Sequence, residues 1–547
     1  MPLGRTTLLA LLLGLLATPP TVAHETTWRA FLRARQLAQA EARATAEDAD
    51  ELRKLPQCRL RIDVLDADGD KAVPALVRLV NPESGKAIPL ADEIHRKLNW
   101  YSLDAEAVVS VPQMKLRVEA LRGLETTLAT SEIDLSGKAD AELTIKLERF
   151  YAARFRGLRS GNTHLHLMKL THAEALRYLQ IVPQSDDLDL VFLSHLRRIP
   201  DERDYITNPI VEESFAGGSL HRLSEHGVLF GNGQEHRHNF DRGGEGFGHV
   251  MLLDIARLIR PVSIGPGIMR SGTDGITLQR GIKKARGDGA TVIWCHNDFG
   301  MEDVPNWLAG LVHAQNIYDG SEKGTYADSF YRYLNLGMRV PFSTGTDWFI
   351  YDFARVYVPL QEELTTETWL QALRDGKSFI TNGPFLELET ERAALGDTLD
   401  LAGPNKVTFV ARGMGRADFK GLELIYNGKV AHQVAAEQEQ GYYFADLRHE
   451  LAIDKPGWVA LRIPLDTGPT ELGRRLFAHT SPIYVEVAGQ RLFDQQVARE
   501  MIDEIKNSMK VINDRGVFAT AIERERVMAV YRAALAELER RIEENGG

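Results

Sequence analysis

The stretch Gly161-Asn162-Thr163-His164-Leu165-His166-Leu167, followed shortly by Thr171-His172, decides how the chain is read. Side chains at i and i+2 of an extended segment project to one face, so His164 and His166 form a pincer suited to a single metal ion. Other apolar runs end in the same way. Leu188-Asp189-Leu190-Val191-Phe192-Leu193 runs into Ser194-His195, Ala290-Thr291-Val292-Ile293-Trp294-Cys295 into His296, and Val340-Pro341-Phe342-Ser343-Thr344-Gly345-Thr346 into Asp347. Glu235 follows Phe230-Gly231-Asn232-Gly233-Gln234, and His249 opens Val250-Met251-Leu252-Leu253. Imidazoles and carboxylates at the ends of short apolar strands, alternating with helical stretches, predict a parallel α/β sheet or barrel with its site on the carboxyl edge of the strands.

A length of 547 residues leaves room for about three or four domains. Residues 1–23 read as a secretory signal: Arg5 in the charged region, an apolar core over 7–17 and a cleavage segment ending at Ala23. That core is too short to span a membrane comfortably, and no Cys follows it to take a lipid. The expectation is a soluble, exported chain, periplasmic or secreted, with no membrane insertion after signal cleavage. Net charge is −11, and loss of the signal removes one Arg and no acid, so the mature surface is more acidic still and argues against a nucleic-acid partner. The two cysteines, Cys58 and Cys295, are far apart in sequence, and Cys295 falls in an apolar run; both read as structural thiols.

Residues 24–56 read as an N-terminal amphipathic helix, and alternation at Leu60, Ile62, Val64 and again at Val73, Ala75, Val77, Leu79 predicts a β-sandwich accessory domain over 57–149. Within it, Asp66-Ala67-Asp68-Gly69-Asp70 lacks the Gly and Glu positions of a calcium loop and reads as a hairpin turn. The ligand-rich region occupies 150–385, a second β-sandwich 386–495 with a hairpin at Asn427-Gly428, and two closing helices 496–547 that could pair between chains in an oligomer.

The ordered set His164, His166, His172, Ser194-His195, Glu235, His249, His296 and Thr346-Asp347 resembles the motif series of the PHP superfamily, the polymerase and histidinol phosphatase metallohydrolases. Gly248-His249-Val250-Met251-Leu252-Leu253, Val292-Ile293-Trp294-Cys295-His296-Asn297 and Gly376-Lys377-Ser378-Phe379-Ile380-Thr381-Asn382-Gly383-Pro384 are similar to its CehA/McbA-like branch. The resemblance covers about residues 155–390 and implies a distorted (β/α)7 barrel, flanked here by the two β-sandwich domains and terminal helices, that binds two or three divalent ions and performs hydrolysis. By the same resemblance His164, His166, Glu235 and Asp347 hold a first metal, and Glu235 bridges to a second held by His249 and His296. A third ion would use His172, His195 and a His two residues beyond Asp347, a place taken here by Phe349. Zinc, manganese or iron suits such imidazole and carboxylate ligands.

The expected activity is that of an exported metal-dependent hydrolase, di- or trinuclear, using a metal-activated water on a phosphoester or on a carboxylic ester, amide or carbamate, with a small-molecule or polymer-derived substrate. His195 is the candidate for protonating the leaving group. His236, His238 and Arg242 are placed to bind an anionic or polar substrate, or else form a solvated polar loop. Trp348 and Tyr351 are expected on the pocket wall, or packed in the core. Ser194, Ser343 and Cys295 sit in no nucleophile elbow, which argues against a covalent mechanism. The alternatives are a non-catalytic glycan- or polymer-binding envelope protein with a degenerate metal site, for which Phe349 speaks, and a structural role in an envelope assembly, suggested by the accessory domains.

Overall fold

Strict alternation governs the first β domain in the computed structural model, which describes residues 50–198, 205–217, 219–225, 227–240, 246–269, 272–296, 300–322 and 324–545. The signal segment and nearly all of the N-terminal helix expected from the sequence lie outside the described residues; 50–53 are helical. Along Gln57–Leu65 the residues Cys58, Leu60, Ile62 and Val64 are buried. This strand lies between Ala107–Pro112, antiparallel, and Asp140–Lys146, parallel. The inward side chains meet those of a second sheet built on Ala75–Val80 and Lys115–Leu121, giving one shared core. Arg149 occupies the carboxylates of Asp66 and Asp68, at 3.0 Å from each, which fits the hairpin reading of that turn.

The ligand-rich region forms a strongly curled half-barrel sheet. Leu158–His166 pairs in parallel with Leu190–His195, and that strand with Leu229–His238. Gly248–Leu253 then runs antiparallel to both Leu229–His238 and Thr291–Trp294. Ala314–Asn316 and Phe342–Ser343 continue in parallel, and the margin at Asp347–Trp348 turns back against Leu165 and His166 of the first strand. The sheet is therefore mixed rather than parallel, because the connection between Leu229–His238 and Gly248–Leu253 is too short to carry a crossover helix. Every residue of Leu190–His195 and of Gly248–Leu253 is buried, as expected where helices cover the outer face. One such helix, His172–Ser185, starts at a capping box in which Thr171 and Glu174 satisfy each other's backbone N–H.

Phe379–Thr381 pairs with Arg355–Pro359 on one side and Ala478–Thr480 on the other, so the curled sheet continues without a break into the C-terminal β region. Opposite it stands a sheet of Phe385–Glu389, Asn405–Gly415 and Tyr443–Ile453. The hairpin at Asn427-Gly428 has both residues left-handed, φ 51° and 84°, as a two-residue turn between twisted strands requires. The helices Gln495–Arg515 and Ala521–Asn545 bury Met501, Ile505, Val527, Tyr531 and Leu538 in the same core as Trp307 and Tyr333, against the outside of the curled sheet. Among the described residues no helix is long and apolar enough to cross a membrane.

Candidate metal centre

His164 and His166 lie on the inward face of Leu158–His166, both fully buried, with their Nε2 atoms 3.1 Å apart. Their other nitrogens fix the tautomers. His164 Nδ1 is 3.0 Å from Asp319 Oδ2, and His166 Nδ1 is 2.9 Å from the Ser194 carbonyl. A carboxylate and a carbonyl only accept, so each Nδ1 carries a hydrogen and each Nε2 faces the shared space, where it is the atom available to a metal.

Carboxylate oxygens enter the same space. Glu235 Oε2 is 3.0 Å from His166 Nε2 and 3.7 Å from His164 Nε2, while Oε1 is 3.6 Å from His249 Nδ1. Asp347 Oδ1 is 3.3 Å from His164 Nε2 and 3.8 Å from His166 Nε2. Glu235 Oε1 and Asp347 Oδ1 are buried and accept no hydrogen bond. Two buried carboxylates held this close repel one another, and a bound cation offsets that cost. Ligand atoms of His164, His166, Glu235 and Asp347 lie within 4.8 Å of one another, and so do those of Glu235, His249 and His296, the two groups sharing Glu235. A buried His, Asp and Glu cluster able to bind metal is thus present.

Backbone geometry serves the site. His296 and Asp347 both have left-handed φ, 64° and 57°, an unfavourable conformation for residues with side chains that turns each back toward the cluster at a strand end. His296 is held by Asp319: its backbone N–H donates to Oδ1 at 3.2 Å, and Nδ1 is 3.1 Å from the Asp319 carbonyl. A Cβ on Gly345 would fall 2.7 Å from the Cβ and the backbone N of His164, so only glycine lets this segment pass beside the first strand.

The field of the site is negative. Burial opposes charge on His164, but Asp347, with the hydrogen bonds of Asp319 and Glu235, outweighs it and pushes the pKa up to about 10. For His296 burial is likewise overcome by Asp319 and Asp347, and the value is pushed up to about 9. Burial raises the Asp347 pKa more than the neighbouring imidazoles lower it, whereas Arg237, 3.2 Å from Glu235 Oε1, and the histidines keep Glu235 ionised despite its burial. A site that would draw protons onto two of its histidines is one that a metal ion neutralises directly.

The remaining candidates are placed elsewhere. His172 is the exposed first residue of its helix. His195 is buried, with Nε2 3.0 Å from Glu212 Oε1 and no hydrogen bond at Nδ1. Both line a cavity of about 580 Å³ together with Arg197, Arg198, Tyr205 and Arg260. Trp348 stacks on Tyr205 at 5.7 Å and lies 5.1 Å from the His166 ring, linking cavity and cluster. Tyr351 accepts a hydrogen bond from Gly320 N, next to Asp319, at 3.0 Å. Phe349 packs edge-on against Tyr178 at 5.6 Å.

His236 and His238 point away from the cluster. Leu229–His238 continues past Glu235 as buried strand, so alternation carries Arg237 inward and the two histidines outward. His236 Nδ1 lies 3.1 Å from the Val262 carbonyl and its ring fills the space above Gly281; His238 faces Asp274 at 3.0 Å and stacks on Phe247. Both are buried on the face away from the cluster, and Arg242 lies outside the described residues. Sequence reasoning passed over Asp319 and Arg237. Both carried a signal: Asp319 ends the apolar run after Ala314–Asn316 as the other ligands end theirs, and Arg237 is two residues from Glu235. No family model and no curated protein matches this chain, so the motif resemblance stands on the residues themselves.

Proposed function

We propose that the chain is an exported metal-dependent hydrolase of the PHP type, close to the CehA/McbA-like branch, with two ions held at His164, His166, Glu235, Asp347, His249 and His296. The observation that carries this reading is the convergence of His164 Nε2 and His166 Nε2 on the buried carboxylates of Glu235 and Asp347. The curled sheet supports it too, since seven strands form the ring if 342–348 is taken as one irregular strand. Two ions are proposed rather than three, because His172 is exposed and Phe349 is turned to Tyr178.

Bound divalent ions would acidify a water and stabilise a developing oxyanion. The chain does the rest. Arg237 holds Glu235 ionised from the side away from His166. Tyr205 and Trp348 stand between the cluster and the cavity. Arg197, Arg198 and Arg260 on the cavity lining favour an anionic substrate, and among the candidate bonds a phosphoester. His195, oriented by Glu212, exchanges a proton with the leaving group through Nδ1.

The test is metal content by mass spectrometry on the purified protein and on Asp347→Ala, with aryl phosphate and aryl acetate turnover after loading with zinc, manganese or iron. The expected result is about two equivalents of metal, fewer in the variant, and metal-dependent phosphate release. Less than about a tenth of an equivalent after loading overturns the proposal.

A further inference from the structure

Cys295 reads from sequence as a buried structural thiol, but strand pairing places it on the face of the sheet that carries the cluster. Glu235 pairs with Met251 and Met251 with Ile293, both antiparallel, and directly paired residues point to the same side. Ile293 therefore faces inward with Glu235. Two residues on, Cys295 does so as well, and its backbone N–H still donates to the His249 carbonyl at 3.2 Å, so the register holds to that point. The thiol is fully buried. Its sulfur and one ring nitrogen each of His164 and His296 lie within 4.8 Å of one another. The neighbouring Asp347 Oδ1, buried and without a hydrogen bond, points to a cation in this space independently of the cysteine.

We propose that Cys295 is a sulfur ligand of the centre, its thiolate bound beside His296 to the second ion, a zinc-like divalent cation, with His164 of the first group as its neighbour. The inference rests on the metal-centre reading above and deepens it by naming the kind of metal. On binding, the S–H bond breaks, its proton passes to solvent, and the sulfur electron pair forms the metal–sulfur bond; nothing is oxidised or reduced. A thiolate favours zinc, cobalt or cadmium over manganese or magnesium, which oxygen ligands suit better.

Cobalt(II) reports the bond directly, because cobalt held by sulfur gains a charge-transfer band in the near ultraviolet that nitrogen and oxygen ligands do not produce. The chain has only two cysteines, and Cys58 is buried in the core of the first β domain, so Cys58→Ser is a clean control. The full-length protein loaded with cobalt is expected to show the band, Cys58→Ser to keep it, and Cys295→Ser to lose it. Cobalt content, measured on the same samples, separates the two readings. Cobalt bound without a band, or a band unchanged in Cys295→Ser, leaves the metal centre standing and overturns the sulfur ligand; no cobalt bound to the wild type overturns both. X-ray absorption on the zinc-loaded wild type needs no variant: a sulfur shell at about 2.3 Å supports the proposal, and a shell of nitrogen and oxygen alone overturns it.

Discussion

Asp319 holds two ligands of the cluster at once: its Oδ2 lies 3.0 Å from His164 Nδ1, while its Oδ1 takes the backbone N–H of His296 at 3.2 Å. One side chain thereby sets the tautomer of the first imidazole and the position of the second. Asn316 Nδ2, 2.9 Å from the same Oδ2, orients the carboxylate in turn. In Asp319→Asn the amide keeps the shape but weakens the imidazole as a ligand, and its nitrogen can face Nδ1 as a donor. Metal affinity is expected to fall about 10- to 100-fold with little change in folding. Competition with a fluorescent chelator reads this, and an unchanged affinity would remove Asp319 from the ligand-positioning role.

Glu235 divides its oxygens between the two groups, Oε2 toward His166 and Oε1 toward His249. Glu235→Ala takes a ligand from each, so metal content is expected to drop from about two equivalents to one or fewer, with nearly all hydrolysis lost. The β regions on either side should keep their melting transition, since their cores lie elsewhere. Full metal content in the variant would sink the bridging assignment.

How far the sequence carried the site is seen at residues 235 to 238. Several cluster residues were legible as candidates because of local pattern: His164 and His166 by their i, i+2 spacing, His296 and Asp347 by standing where an apolar run stops. The facing of His236 and His238 was not, because a polar segment in a strand buried on both sides looks like a loop; what makes it a strand is the pairing with Gly248–Leu253 and the helix Leu278–Gly287 packed over His236. The reversed direction of Gly248–Leu253 and the inward turn of Cys295 belong to the same class. Strand register is settled by partners distant in the chain, which periodicity in one segment does not contain.

Three buried histidines outside the cluster predict acid sensitivity. Burial lowers the pKa of His236 and His313 to about 4 and of His479 to about 3, with neighbouring arginines adding to the effect. The unfolded chain binds these protons near 6.5 and the folded one does not, so the stability they contribute is complete above 6.5 and is lost as pH falls toward 4. Glu302 opposes this: burial raises it to about 7, so its contribution grows as pH falls from 7 toward 4.5. In the metal-free protein His164 and His296, raised to about 10 and about 9, oppose the loss as well, so the net loss in urea unfolding between pH 7 and pH 5 is expected to be about 1–3 kcal/mol. Glu302→Gln removes one opposing group and should steepen the loss. A flat profile in both proteins would show that the histidines are hydrated in the folded state.

Gly345 tests whether the closure of the sheet, rather than the ligands alone, makes the site. A methyl at this position would come within 2.7 Å of His164 Cβ and its backbone N, and 3.0 Å of Asn162 Oδ1, contacts that backbone and a β-carbon cannot evade by rotating. Gly345→Ala must therefore push the segment leading to Asp347 away from the first strand, lengthening the Asp347 to His164 separation from its present 3.3 Å. Metal affinity is expected to fall about tenfold or more, with a stability cost of about 1–3 kcal/mol. Gly403→Ala, where a methyl meets no atom within 4 Å, is the matched control and should change neither quantity. Equal metal affinity in the two variants would mean that the ligand set tolerates a displaced Asp347, and the centre would then rest on His164, His166 and Glu235 alone.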